Sequence, residues 1–293
     1  MQLSLKNKTF QILIDHPLEN YCGSRFDWTG KITQVHFKDI PVLSSENLSN
    51  TNEHGFGRGL YNEFGIDSAL GFEETETGEW FHKIGVGLLK KTKSSYHFSE
   101  KYEIIPAAFT VITEKNKIII YCTSDSINGY SYRLKKEIEL FEKSFSIKYI
   151  LENTGEKKIS TNEYNHNFIG IRKKSIGENT VLNFPFLLNS DQFVEIVNPE
   201  NKVLIHPSGL KFKSSPNEPF FFSNLSGSKV VDALWEIHDY HSKIGIRETG
   251  TFETSSINVW GSKHVISPEL FIEIDIPPGE SKEWTRTYEV FEL

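Results

Sequence analysis

The sequence predicts an all-β protein, and three observations carry that expectation. Strand-like runs of apolar and alternating residues follow one another along all 293 residues. No window of about 12 residues shows a 3.6-residue apolar stripe with caps at its ends. Aromatic residues make up 13% of the chain, with 22 Phe, the side chains that half-buried sheets favour. All-β architectures hold roughly 200–250 residues as one unit, so the expectation is one large domain over residues 1–293.

The elements follow in order. Thr9–Ile14 is dense in apolar residues, and Lys31–Phe37 alternates with one irregularity separating Ile32 from Val35 and Phe37. Tyr102–Thr113, Lys117–Thr123 and Ser131–Leu140 read as strands in quick succession. Arg133–Phe145 comes nearest to a helix, through Leu134, Ile138 and Phe141, but Ile138 and Leu140 fit a strand as well. Ser144–Glu152 puts Phe145, Ile147, Tyr149 and Leu151 on one face and Ser146 and Lys148 on the other. Asn153-Thr-Gly-Glu then turns the chain, since Asn and Gly tolerate positive φ.

Val181–Leu188, Lys202–His206, Pro219–Phe222, Ser228–Trp235 and Thr251–Trp260 continue the pattern. A closing hairpin joins Leu270–Ile276 to Trp284–Phe291 through Pro277-Pro278-Gly279-Glu280, with Trp284, Arg286, Tyr288 and Val290 on one side. Residues 43–79 read as a long irregular excursion, a kind of segment that often carries binding residues. Many short strands imply a sandwich or barrel.

The formal net charge of −7 disfavours nucleic acid and anionic membrane surfaces as partners. The two cysteines, Cys22 and Cys122, form no CxxC pair, so they are either buried thiols or one bridge. No run of about 18 apolar residues predicts a membrane span. The N-terminus lacks the basic start and apolar run of a secretory signal. The expectation is a cytoplasmic protein.

Four clusters carry chemistry. The stretch NEYNHNFIGI, Asn162–Ile171, sits where the return strand belongs, yet both of its faces are polar. Asn162, Tyr164, His166 and Phe168 share one face; Glu163, Asn165 and Asn167 share the other. An edge strand with a satisfied core His explains one polar face, whereas a ligand-binding face beside Tyr and Phe explains the density. The second cluster, Asn52–Glu63, contains HGFGRG: three glycines beside His54 and Arg58. Its spacing is neither a dinucleotide fingerprint nor a P-loop. In the third, WGSKHVISPE, Glu269 follows Pro268 at the mouth of the strand Leu270–Ile276. The fourth, Asp232–His241, has H-x-x-H spacing, which is not the i, i+4 pair of a helical zinc site; a polar hairpin end is the expectation, with no metal and no cofactor.

HGFGRG, the NTG turn at residues 153–155 leading into TNEYNHNF, and SPE ahead of a PPGE hairpin occur in an order that resembles the aldose 1-epimerase family, galactose mutarotase-like. The resemblance runs from about Phe26 to Phe291. It implies a large antiparallel β-supersandwich and interconversion of the α and β anomers of an aldose or sugar phosphate. By position it makes His166 the general acid and Glu269 the base, with Glu273 as the alternative base. It makes His54 and Arg58 sugar contacts, and leaves Asp191 and Asp232 as candidates for a hydroxyl-binding Asp. The family's T-N-H-x-Y-F-N-L pattern is rearranged here. Tyr164, Asn165 and Asn167 are expected to bind hydroxyls and orient His166. Arg58, Arg25 and Lys83 are either anion contacts or structural. A non-catalytic carbohydrate-binding protein of the same fold is the alternative.

Overall fold

The computed structural model describes residues 2–49 and 55–293. In chain order its strands are β1 (Leu3–Lys6), β2 (Phe10–Asp15), β3 (Lys31–Phe37), β4 (Ile40–Pro41), β5 (Leu60–Phe64), β6 (Trp80–Lys83), β7 (Gly87–Lys90), β8 (Ile104–Pro106), β9 (Ala108–Thr113), β10 (Lys117–Thr123), β11 (Tyr132–Leu140), β12 (Ser144–Asn153), β13 (Ile159–Asn167), β14 (Thr180–Asn183), β15 (Glu195–Val197), β16 (Val203–His206), β17 (Gly209–Phe212), β18 (Phe220–Ser223), β19 (Val231–Asp239), β20 (Ile244–Thr254), β21 (Ile257–Ser262), β22 (Val265–Ile276) and β23 (Ser281–Glu292). Helix among the described residues is confined to two short 3₁₀ turns, Ile171–Lys173 and Ser190–Gln192. None of it is long and apolar enough to cross a membrane.

Two large sheets face each other. The first runs β1-β2-β3-β5-β13-β22-β21-β18-β15, with β4 beside β3; the second runs β16-β17-β14-β19-β20-β23-β12-β11-β10-β9. A small third sheet is β6-β7-β8. The alternation read in β12 and β23 holds: Phe145, Ile147, Tyr149, Leu151, Trp284, Arg286, Tyr288 and Val290 are all buried. The irregularity in β3 is a bulge. Leu13 pairs with Gln34 but Ile14 with Ile32, so Thr33 is skipped and Ile32, Val35 and Phe37 all turn inward.

Four readings need correction. The excursion at residues 43–79 contains β5, five consecutive buried residues that pair with β13 in the middle of the first sheet. Its apolar and polar residues are buried alike, which hides the strand from a period-2 search. The stretch Tyr102–Thr113 is two strands, β8 and β9, in different sheets, and Thr251–Trp260 likewise divides between β20 and β21. Finally β22 begins at Val265 and runs through Pro268, so Glu269 lies inside a central strand. Proline is rare there because it cannot donate to the ladder. The β13–β22 pairing breaks after Tyr164–Phe271, resumes at the Ile169–Ile266 bridge, and in the gap Asn167 Nδ2 donates to the Pro268 carbonyl at 2.7 Å.

The two polar faces of Asn162–Phe168 now separate by destination. Glu163, Asn165 and Asn167 point between the sheets. Arg286 bridges Glu163 (2.8 Å) and Glu248 (2.7 Å), and Glu163 also accepts from Trp284. Asn167 donates to Glu248 and accepts from Tyr288, which in turn accepts from Asn165. Buried charges demand such partners, since an unpaired one costs several kcal/mol. Cys22 and Cys122 are free thiols.

Candidate active site

The opposite face of the first sheet carries a stripe set by strand register. Directly opposed residues of neighbouring strands share a face. Tyr164 opposes Glu63 on β5 and Phe271 on β22, and His166 opposes Tyr61. Residue numbers in the β13–β22 pairing sum to 435 on both sides of the gap, as in 164 + 271 and 169 + 266, which puts His166 across from Glu269. Glu269 in turn opposes Asn258 on β21, Ser267 opposes Trp260, and Trp260 opposes Phe221 on β18. Four adjacent strands, β13, β22, β21 and β18, thus deliver one face to a cleft of about 290 Å³, with β5 packed behind His166. Arg25, Glu46, Ile66 and Phe98 come from outside that stripe to complete its walls. The volume lies near the small end of ligand pockets, about 300–1,000 Å³.

His166 is held on every side. Its ring stacks on Phe168 (5.5 Å between centroids), meets Phe26 edge-on (5.1 Å) and leans on Tyr164 (4.5 Å). Nδ1 lies 3.0 Å from Glu269 Oε1, which also accepts from the Ser267 hydroxyl. Nε2 lies 2.8 Å from the Tyr164 hydroxyl and 3.3 Å from Glu63 Oε2. Burial opposes the imidazolium, but the Glu269 charge and the hydrogen bonds that Glu269 and Glu63 accept from the ring outweigh it, so the His166 pKa is raised.

Behind the imidazole sits a buried ion cluster. Glu63 is fully buried, with Arg25 Nε at 3.0 Å, Lys83 Nζ at 3.4 Å and the Tyr164 hydroxyl at 2.9 Å. Burial favours its neutral form, yet the charges of Arg25 and Lys83 prevail and hold it well below the usual carboxylate range. Burial pushes Lys83 down despite Glu63. Arg25 lies between the rings of Phe26 (4.5 Å) and Phe98 (4.4 Å), with Glu46 3.8 Å from its Nη1.

Of the residues singled out in the sequence, His166, Glu269 and Tyr164 meet in the cleft. Asn165 and Asn167 do not: the strand's parity turns them between the sheets, where both are fully buried and engaged, a correction to their expected place beside the substrate. Arg58 is not among the lining residues either. It pairs with Asp15 at 2.5 Å and donates to Tyr61, while Arg25 reaches the cleft. His54 lies outside the described residues. Glu273 opposes Asn162 farther along β22, and neither Asp191 nor Asp232 lines the cleft. His238 of the fourth cluster pairs with Glu236, and no metal-holding group of His, Cys, Asp or Glu occurs among the described residues.

Sequence reasoning missed Glu63, Trp260, Asn258, Phe221 and Phe98 as parts of the site. Two of them, Glu63 and Trp260, end or begin clusters quoted above, but only the pairing of β5 and β21 with their neighbours shows which way they face.

The fold is that of the aldose 1-epimerase and galactose mutarotase-like proteins. A galactose mutarotase related enzyme from Lactobacillus acidophilus aligns with a TM-score of 0.63 at 10% identity, covering 100% of this chain and 98% of that one. A galactose mutarotase-like protein from Lactobacillus casei gives 0.61 at 11%, covering 99% and 100%. An aldose epimerase homologue from C. elegans gives 0.54 at 9%, covering 100% and 99%. No protein-family profile and no curated protein matches the chain in sequence.

Proposed function

We propose that this protein interconverts the α and β anomers of an aldose, with His166 as general acid and Glu269 as general base. The observation that carries the reading is the 3.0 Å approach of His166 Nδ1 to Glu269 Oε1 in an aromatic-lined cleft. Anomerisation needs a proton delivered to the ring oxygen while another leaves the C1 hydroxyl. Both oxygens are bonded to C1, so acid and base must be close neighbours. The raised His166 pKa favours the imidazolium, the form an acid needs. A sugar entering between the two groups accepts a hydrogen bond from His166 at its ring oxygen and donates its C1 hydroxyl to Glu269. His166 protonates the ring oxygen as Glu269 removes the hydroxyl proton, the C–O ring bond breaks, and a free aldehyde forms. After rotation about the C1–C2 bond the same protons return along the reverse path, and no cofactor is consumed. The similar structures named as a galactose mutarotase related enzyme and an aldose epimerase homologue support this reading.

Charge balance favours an unphosphorylated sugar. Arg25 is the one Lys or Arg among the described residues lining the cleft, and Glu63 and Glu46 already face it. Trp260, Phe221 and Phe168 offer flat apolar faces to the C–H side of a pyranose ring. Polarimetry on freshly dissolved α-aldoses, with one-dimensional exchange NMR for sugar phosphates, tests both statements. Faster anomerisation of neutral aldoses is expected. Unchanged rates across the panel with saturable sugar binding would indicate the non-catalytic binding protein, and a preference for phosphates would overturn the charge argument.

A further inference from the structure

The two ring nitrogens of His166 keep different company. Nδ1 faces Glu269 and the cleft. Nε2 faces inward, where the Tyr164 hydroxyl, Glu63 Oε2 and Nε2 form a triangle with sides of 2.8, 2.9 and 3.3 Å. Glu63 itself never reaches the cleft: it is fully buried and held by Arg25 and Lys83.

Counting protons in that triangle leaves one satisfactory arrangement. An ionised carboxylate only accepts, and a phenol has one proton to give. If Tyr164 donates to Glu63, its oxygen is free to accept from Nε2–H, and every contact joins a donor to an acceptor. If Tyr164 instead donated to a bare Nε2, the ring's lone-pair edge would face a carboxylate oxygen at 3.3 Å with no proton between them. On the other side of the ring a bare Nδ1 faces Glu269 Oε1 at 3.0 Å, so the neutral Nε2–H tautomer leaves one pair of acceptors without a proton between them, where the alternative leaves two, Nε2 and the Tyr164 oxygen each against Glu63. From β22 the charged group is Glu269; from β5 Tyr61 opposes His166 but bonds to Arg58; Arg25 and Lys83 approach through Glu63.

We propose that Glu63, acting through Tyr164, is a positioning residue that keeps a proton on His166 Nε2 and thereby reserves Nδ1 for exchange with the substrate. This rests on the aldose reading above for its catalytic meaning, though not for its geometry. Neutral His166 is then the Nε2–H tautomer with its lone pair on Nδ1, aimed at the cleft. Protonated His166 carries its transferable proton on Nδ1. Glu63 also aligns Arg25, so one buried carboxylate orients both a cation and the acid at the wall of the cleft.

Long-range ¹H–¹⁵N spectra of the His166 ring, recorded through its titration, test the assignment in the wild type, Tyr164→Phe and Glu63→Gln. In the wild type Nδ1 is expected to lose its proton while Nε2 keeps it. Tyr164→Phe removes one oxygen and no charge, and keeps the ring that stacks on Phe271 at 4.2 Å; it should yield a mixture of tautomers. Glu63→Gln should lower the His166 titration by about one pH unit or more, with the alkaline limb of the anomerisation profile following it. If Glu63→Gln fails to fold, Tyr164→Phe decides alone. A wild-type neutral ring with its proton on Nδ1, or an unchanged tautomer in Tyr164→Phe, overturns the proposal. A wild type that holds the Nε2–H tautomer without anomerising any sugar refutes the aldose reading and leaves this role of Glu63 standing.

Discussion

Replacing Glu269 by Gln removes one negative charge 3.0 Å from His166 Nδ1 and keeps the shape of the cleft wall. Two effects follow from that single change. Loss of a positioned base lowers the anomerisation rate by about 10²–10⁴-fold. The His166 pKa, raised by Glu269 against the opposing pull of burial, falls as well. Glu269 makes the leading contribution to raising this pKa, so its neutralisation lets the cost of burial prevail. The sign for stability is fixed by linkage. A folded-state pKa above the unfolded value of about 6.5 contributes stability that is complete below that value. It disappears as pH rises through the folded pKa. The stability gap between wild type and Glu269→Gln should therefore be widest at mildly acid pH and close on the alkaline side. Polarimetry gives the rate, and urea denaturation at several pH values gives the gap. A near wild-type rate, or a gap independent of pH, would refute the assignment of Glu269 as the charge partner of His166.

The inter-sheet residues should behave in the opposite way. Arg286→Met leaves Glu163 and Glu248 buried without their shared cation and should cost about 3–5 kcal/mol; an unchanged urea midpoint would contradict that network. Asn167→Ala removes bonds to Glu248 and to the Pro268 carbonyl and should cost about 1–3 kcal/mol of stability. Monosaccharide affinity measured by calorimetry should stay at the wild-type level, because Asn167 faces away from the cleft. A weakened affinity with stability intact would restore it to the binding surface.

Local pattern made the fold class legible. Runs such as Phe145, Ile147, Tyr149 and Leu151 bury one face of a strand, and that requirement is written in the spacing of the residues themselves. The bulge in β3 was visible for the same reason: Ile32 is out of phase with Val35, and one skipped residue restores the phase. Strand β5 was not legible, because a strand buried on both faces in a polar setting, Leu-Tyr-Asn-Glu-Phe, has no period to detect. Pro268 concealed the start of β22, since a residue without an N–H reads as a strand breaker, whereas here its carbonyl accepts from a side chain 101 residues away in sequence.

For the site, the sequence by itself determined that Asn162–Phe168 is polar on both faces and that His166, Tyr164 and Phe168 share one of them. It did not determine which face meets the substrate, because parity distinguishes two faces without saying what lies beyond either. Tertiary structure decided that. Packing of β23 and β20 against one side gave Glu163 and Asn167 to Arg286 and Glu248, and left the other side open to solvent and to a ligand. Register across neighbouring strands then brought Glu269 and Trp260 to that open side and set Glu63 behind His166, though these residues are as much as 206 apart in sequence (269 − 63). Spacing along a chain records which residues share a face; only pairing between distant strands records which faces converge.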